Sequence, residues 1–270
     1  MEYLQNFHYK VSGNFSSQNY LVFLHGLMGS GVNWNRIAKS FETKAQILTF
    51  DQRGHGRSFK PKRGYDPNDF ADDLKKIIDE LGWDKINLVG HSMGGRNALT
   101  FADKYPNRVN QLVIEDISPS IKLASIDSMK ALINSVPVPF VSKKLASNFF
   151  ESDFLNQFTD KKRGQAIAQF FNMNIIETAS GSADWRFYKK GILESLEMGR
   201  RQDAWPIVSD LKPQTLFIYG DQSGELSDED LRKLSELPQI KTQCIKESGH
   251  WVHFEQAEEF IKVLKEFFAY

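Results

Sequence analysis

A serine enclosed by two glycines, Gly90-His91-Ser92-Met93-Gly94, lies between a short apolar run and an amphipathic stretch, a setting that can make a hydroxyl a nucleophile. Ile86–Val89 reads as a buried strand and Arg96–Lys104 as a helix, so the serine falls at a tight strand-to-helix turn. A backbone that closes so sharply tolerates only small neighbours, which is the part Gly90 and Gly94 play. The N–H groups that open the following helix point toward negative charge, such as develops when a serine attacks a carbonyl. Five residues match such a pattern by chance, so the rest of the chemistry has to be found elsewhere in the chain.

Three further segments supply it. The apolar run Tyr20–Leu24 ends in His25-Gly26-Leu27-Met28-Gly29, a loop whose Leu27 N–H can pair with that of Met93 to hold an oxyanion. Asp51-Gln52-Arg53-Gly54-His55-Gly56-Arg57-Ser58 follows the run Ile47–Phe50, and Ser248-Gly249-His250 follows Lys241–Ile245.

The elements that must position these segments are legible from periodicity. Tyr20–Leu24, Ile47–Phe50, Ile86–Val89, Gln111–Ile114, Thr215–Tyr219 and Lys241–Ile245 are short apolar runs of the kind that form buried parallel strands. Between them, Leu74, Ile77, Ile78 and Leu81 mark one face of a helix over Pro67–Leu81 that Gly82 ends, and Gln256–Phe268 repeats the spacing. Alternating strands and helices predict a mostly parallel sheet with helices on both faces. The alternation breaks between Ser118 and Lys212, which shows helical spacings and no strand. An inserted helical cap is expected over 118–212, on a core domain built from 1–117 and 213–270. The many aromatics of this segment, among them Phe150, Phe154, Phe170, Phe171 and Trp185, are expected mainly to pack its own core, and its basic pairs, such as Lys161-Lys162-Arg163, to be solvated.

In this order, H-G-x-x-G, D-x-R-G-x-G-x-S, G-H-S-M-G-G and G-H-W make the chain similar to the α/β-hydrolase superfamily from about residue 20 to the C-terminus. The cap region matches in position and length only. The resemblance implies the α/β-hydrolase fold, with Ser92 as nucleophile and His250 as general base. A hydroxyl is a weak nucleophile until an imidazole takes its proton. The other histidines fit less well: His25 and His55 lie in turn motifs, His91 points away from the nucleophile it precedes, His253 is expected at the surface, and His8 precedes the sheet.

Two aspartates compete as third member. Most of the superfamily carries its acid after the penultimate strand, in a G-x-x-D pattern, but Tyr219-Gly220-Asp221-Gln222-Ser223 has a serine at that position and Asp221 two residues early. Asp116 lies in Val113-Ile114-Glu115-Asp116-Ile117-Ser118-Pro119. A subgroup of bacterial and mitochondrial esterases similar to this chain places its acid there, before an I-x-P turn, with serine in the later loop. The resemblance therefore favours Asp116 over Asp221.

The activity implied is transfer of an acyl group from an ester or thioester to water, with Leu27 and Met93 as oxyanion donors and His25 and Trp251 beside the substrate. No cofactor and no metal are implied, and the partner is a small-molecule ester. A C–C bond hydrolase or lyase similar to the synthase of menaquinone biosynthesis is the alternative enzyme reading. That family keeps its acid in the late loop and handles a polycarboxylate, whereas this cap holds only thirteen Lys and Arg against ten Asp and Glu. Relatives that use an aspartate nucleophile, the haloalkane dehalogenases and epoxide hydrolases, are excluded by Ser92. A non-catalytic receptor on the same fold is the reading from a different class, and an intact Ser, His and Asp set argues against it.

Composition narrows the partners. Lys plus Arg and Asp plus Glu balance at 34 each in 270 residues, so no long-range field favours nucleic acid or an anionic membrane. Apolar residues at 41%, with 21 Phe, suffice for a large core and an apolar cavity. The single Cys244 excludes an internal disulfide and a cysteine-rich metal site, and its neighbours Ile240, Thr242 and Ile245 predict a half-buried strand thiol. No run approaches the roughly 18 apolar residues of a membrane span, and Met1–Asn6 lacks the basic-then-apolar pattern of a leader. A cytoplasmic location is expected, and monomer or dimer is left open.

Overall fold

The computed structural model describes residues 2–270, the side chain of Arg163 apart. In chain order its strands are β1 (Tyr9–Gly13), β2 (Tyr20–Leu24), β3 (Gln46–Phe50), β4 (Ile86–His91), β5 (Val109–Glu115), β6 (Ile175–Glu177), β7 (Ala183–Trp185), β8 (Gln214–Gly220) and β9 (Ile240–Ile245). The α-helices are α1 (Asn35–Lys39), α2 (Pro67–Glu80), α3 (Met93–Lys104), α4 (Leu123–Asn134), α5 (Lys143–Glu151), α6 (Lys161–Met173), α7 (Lys189–Arg201), α8 (Trp205–Asp210), α9 (Asp228–Ser235), α10 (Val252–Glu255) and α11 (Ala257–Phe268).

Seven strands form one sheet in the order β1-β3-β2-β4-β5-β8-β9, parallel except where β1 runs antiparallel to β3. Side chains alternate across it: Val22 and Leu24 of β2 pack with α2, α3 and α8, while Leu21 and Phe23 pack on the other face with α1 and α11. Both faces are thus closed to water, which is why these strands read as continuous apolar runs. Each buried aliphatic side chain contributes about 1.5–3 kcal/mol to this arrangement. The N-terminus of α2 follows from local chemistry, since Asp66 caps it by accepting from the Asn68 N–H and Pro67 sets its first turn.

Two elements depart from expectation. The edge strand β1 is exposed at Tyr9 and Lys10, half-buried from Val11 to Gly13, and carries polar residues, so it lacks the apolar run that marks the inner strands. The hairpin β6–β7 lies within 118–212, where no strand was predicted; each of its strands has three residues, too few to show a period. The rest of that segment is helical, and α4 to α7 with the hairpin enclose a separate apolar cluster around Phe150, Phe154, Phe171 and Trp185. Cys244 lies half-buried in β9.

Candidate active site

The central strand β4 runs into α3 through Ser92, whose φ of 52° and ψ of −118° place it outside the regions that L-residues adopt freely. Close packing enforces the turn. A Cβ on Gly90 would sit 2.3 Å from the carbonyl oxygen of Gly94, and one on Gly94 would sit 2.3 Å from that of Leu24. No larger residue fits either position, so the spacing of the glycines records a real constraint. The Ser92 N–H donates to the Glu115 carbonyl at 3.0 Å, which ties the turn to β5.

Asp116 follows β5 directly, fully buried, with φ of 51°. Its Oδ2 accepts from Nδ1 of His250 at 2.7 Å, and Nε2 of His250 lies 3.0 Å from Oγ of Ser92. The three side chains form one unbroken hydrogen-bonded line. Asp116 is held in it by two more donors, the Gly220 N–H at 3.3 Å on Oδ1 and the Ser223 hydroxyl on Oδ2. The serine in the late loop therefore braces the carboxylate. Asp221 lies elsewhere: it accepts from the Ser248 N–H at 3.3 Å and faces Lys246 at 3.9 Å.

The loop after β2 turns at Met28, with φ of 60°, and closes through the Gly29 N–H on the Gly26 carbonyl at 3.0 Å. Leu27 packs on Met93, the first residue of α3, in a small cluster with Tyr65 and Phe70. His25, expected beside the substrate, lines the crevice next to Gly26 and Leu27, with its side chain buried. It is 1% exposed, its Nδ1 donates to the Gly26 carbonyl at 2.8 Å, and its Nε2 accepts from the Gln52 N–H at 2.9 Å. With both nitrogens engaged it braces the loop. Gln52, which the sequence reading passed over, returns its side-chain N–H to the His25 carbonyl and accepts from Asn97 of α3 at 2.9 Å, so it fixes the loop against the helix that Ser92 begins. Trp251 faces Phe170 of α6 at 5.4 Å between ring centroids, and the pair lines a narrow crevice with Gly26 and Leu27.

His253, expected at the surface, is 5% exposed and stacks on Trp34 at 4.3 Å. The short helix α10 turns it inward, which no residue-level signal announced. With His91 and Glu115 it forms a buried group whose nitrogen and oxygen atoms lie within 4.8 Å of one another, a donor set that suits a divalent metal. Those atoms are already engaged: His91 Nε2 donates to the His250 carbonyl at 2.8 Å, and Glu115 accepts from His253 Nδ1 at 2.8 Å. One nitrogen of each imidazole and the carboxylate are thus held in a hydrogen-bond network.

Burial disfavours the charged form of the His250 imidazole, but the Asp116 hydrogen bond and the charges of Asp116 and Glu225 outweigh it and hold the pKa above the ordinary value, with Arg200 opposing. Burial pushes His25 down to about 4 and drives His55 and His91 well below the usual range. The site thus contains one imidazole able to take up a proton beside imidazoles kept neutral. An imidazole so placed can accept the Ser92 proton and later return it.

A family model for the alpha/beta hydrolase fold matches residues 19–257. The sn-1-specific diacylglycerol lipase ABHD11 of Danio rerio is 32% identical over 264 residues, which span 95% of this chain and 80% of that protein. The 2-(acetamidomethylene)succinate hydrolase of Mesorhizobium japonicum is 28% identical over 250 residues, covering 92% of this chain and 87% of that protein. Among solved structures, a marine microorganism esterase superposes with a TM-score of 0.84 at 27% identity, over 97% of this chain and 98% of that one. Among the described residues no helix is long and apolar enough to cross a membrane.

Proposed function

Because the chain belongs to the α/β-hydrolase family, we propose that it is a serine hydrolase that cleaves carboxylic esters or thioesters through an acyl-enzyme on Ser92. The observation that carries this reading is the line from Asp116 through His250 to Ser92, at 2.7 and 3.0 Å. In the first half-reaction His250 Nε2 takes the Ser92 proton as Oγ attacks the acyl carbon, and the N–H groups of Leu27 and Met93 receive the oxyanion. His250 then protonates the departing alcohol or thiol. A water molecule repeats the sequence on the acyl-enzyme and regenerates Ser92. Asp116 keeps the proton of the neutral imidazole on Nδ1 and stabilises the cation that forms.

Residues 118–212 act in this reading as a cap over the core of 1–117 and 213–270, with Phe170 and Trp251 at the border between them. The apolar cluster of α4 to α7 and the hairpin, which Met28 joins, supports a unit there, while α8 packs into the core with Val22 and Leu24. The lipase and esterase names of the relatives point to acyl substrates.

Turnover of p-nitrophenyl esters of graded acyl length, and of matched thioesters, by the wild type and by Ser92→Ala tests the proposal. Ester cleavage by the wild type should fall about 10⁴-fold or more in the variant. A folded wild type that turns over no ester or thioester refutes it, and binding without turnover would favour a receptor on the same fold.

A further inference from the structure

The strand-end dipeptides His91-Ser92 and Glu115-Asp116 lie side by side, because β4 and β5 pair with His91 opposite Glu115. Successive side chains leave a strand on opposite sides. Ser92 and Asp116 reach the imidazole of His250, and the residues before them reach the backbone of the same loop from beneath. His91 Nε2 donates to the main-chain carbonyl of His250 at 2.8 Å. Glu115 accepts both the backbone N–H of His253 at 2.9 Å and its Nδ1–H at 2.8 Å. Bonds from the Gly249 and Trp251 N–H groups to Glu255 shape the loop, and Ser248, two residues before His250, ties its start to the loop after β8 by donating to Asp221 at 3.3 Å and accepting from the Gln222 N–H at 2.9 Å; on the far side of His250 the anchors are His91 and Glu115.

All three groups are buried, at 3%, 0% and 5% exposure for His91, Glu115 and His253. Buried polar side chains are held by their hydrogen bonds, which in a site shut off from water fix the geometry of the groups they join. His91 also touches the loop after β2, for a Cβ on Gly26 would sit 2.7 Å from its Nδ1. One ring thus contacts the segments carrying the nucleophile, the oxyanion donors and the base.

Resting on the reading of Ser92 as nucleophile, we propose that His91, Glu115 and His253 are positioning residues: they set the height and tilt of His250 between Ser92 and Asp116 and act on the reaction through it. Displacing a catalytic group by about 1 Å costs on the order of 100-fold in rate, so the anchors at His250 itself and at His253 have a direct catalytic value. The bond to the carbonyl requires a proton on Nε2 of His91, and burial, which holds its pKa well below the usual range, leaves Nδ1 without one.

Two substitutions separate positioning from bulk. His91→Leu removes the donor and keeps most of the volume, while His91→Gln places an amide N–H at a reach similar to that of Nε2. In His91→Leu kcat on a p-nitrophenyl ester should fall about 10- to 100-fold with KM within about threefold, and His91→Gln should recover most of the loss. The acidic limb of the pH–rate profile is set by the burial of His250 and by Asp116, Glu225 and Arg200 around it, with the neutral His91 ring packed on it at 4.8 Å; it should move to lower pH in His91→Leu as the bond to Asp116 loosens and return in His91→Gln. A folded His91→Leu with a lower Tm but unchanged kcat and limb overturns the proposal.

If His91→Leu does not fold, nitrogen-15 NMR of the wild type decides. A proton on Nε2 of His91 supports the proposal, and the tautomer with Nε2 bare, which cannot donate to the His250 carbonyl, overturns it. Labelling of wild-type Ser92 with a fluorophosphonate is run alongside. Its absence counts against the nucleophile, whereas a labelled wild type with unaffected His91→Leu kinetics counts against the positioning role alone.

Discussion

Asp116→Asn changes one atom of a carboxylate that is fully buried and receives three hydrogen bonds, from His250, Ser223 and the Gly220 N–H. An asparagine there can offer an oxygen to only one side. If the oxygen keeps the Gly220 N–H, the amide nitrogen faces Nδ1 of His250, and two donors meet. The imidazole relieves the clash by moving its proton to Nε2, which lies 3.0 Å from Ser92 Oγ and then has no lone pair to receive the serine proton. The same exchange in a serine protease triad lowers kcat about 10⁴-fold, equivalent to about 5.5 kcal/mol of transition-state stabilisation. A loss of similar size is expected in kcat/KM on a short p-nitrophenyl ester, with the fold intact by circular dichroism. Asp221→Asn, whose side chain meets the Ser248 N–H and Lys246 rather than His250, should stay within about tenfold of wild type. Activity retained in Asp116→Asn, or lost in Asp221→Asn alone, would refute the assignment.

Other expectations follow from the same contacts. Ser223 already hydrogen-bonds Asp116 Oδ2, so Ser223→Asp in the Asp116→Asn background should bring a carboxylate within reach of His250 and recover about tenfold or more of the lost rate, read on the same ester. Because the pKa of His250 is raised and only its neutral form is a base, kcat/KM should fall as pH drops through a value above the ordinary 6.5, and the limb should shift to lower pH in Asp116→Asn. Stability should also fall with pH. His25 titrates near 6.5 when unfolded and at about 4 when folded, so between these values the unfolded chain binds more protons, and this residue alone removes about 2 kcal/mol at pH 5 relative to pH 7.5. His55 and His91 act in the same direction and His250, with its raised pKa, in the opposite one; urea unfolding at the two pH values measures the net loss.

What could be read from the sequence was what short segments encode locally. Gly90, Ser92 and Gly94 announce their turn because steric closure acts over five residues, and the inner strands announce themselves because both faces of the sheet are covered. Asp116 was harder, since its partner lies 134 residues away and only resemblance to a subgroup with serine in the late loop singled it out. The bracing of Asp116 by Ser223 could have been anticipated from that exchange of residue types. The network of His91, Glu115 and His253 could not, because it depends on the register of β4 against β5 and on the inward turn of α10, both tertiary facts. His253 looked like a surface residue for that reason, and the edge strand β1 and the three-residue strands of the hairpin carried too little periodicity to be found.

The nucleophile is tested most directly by mass spectrometry of the intact and digested protein after reaction with a fluorophosphonate. A single adduct on Ser92 is expected, absent in Ser92→Ala and formed far more slowly in His250→Ala. A folded wild type that gains no adduct, or gains it on another serine, would contradict the account.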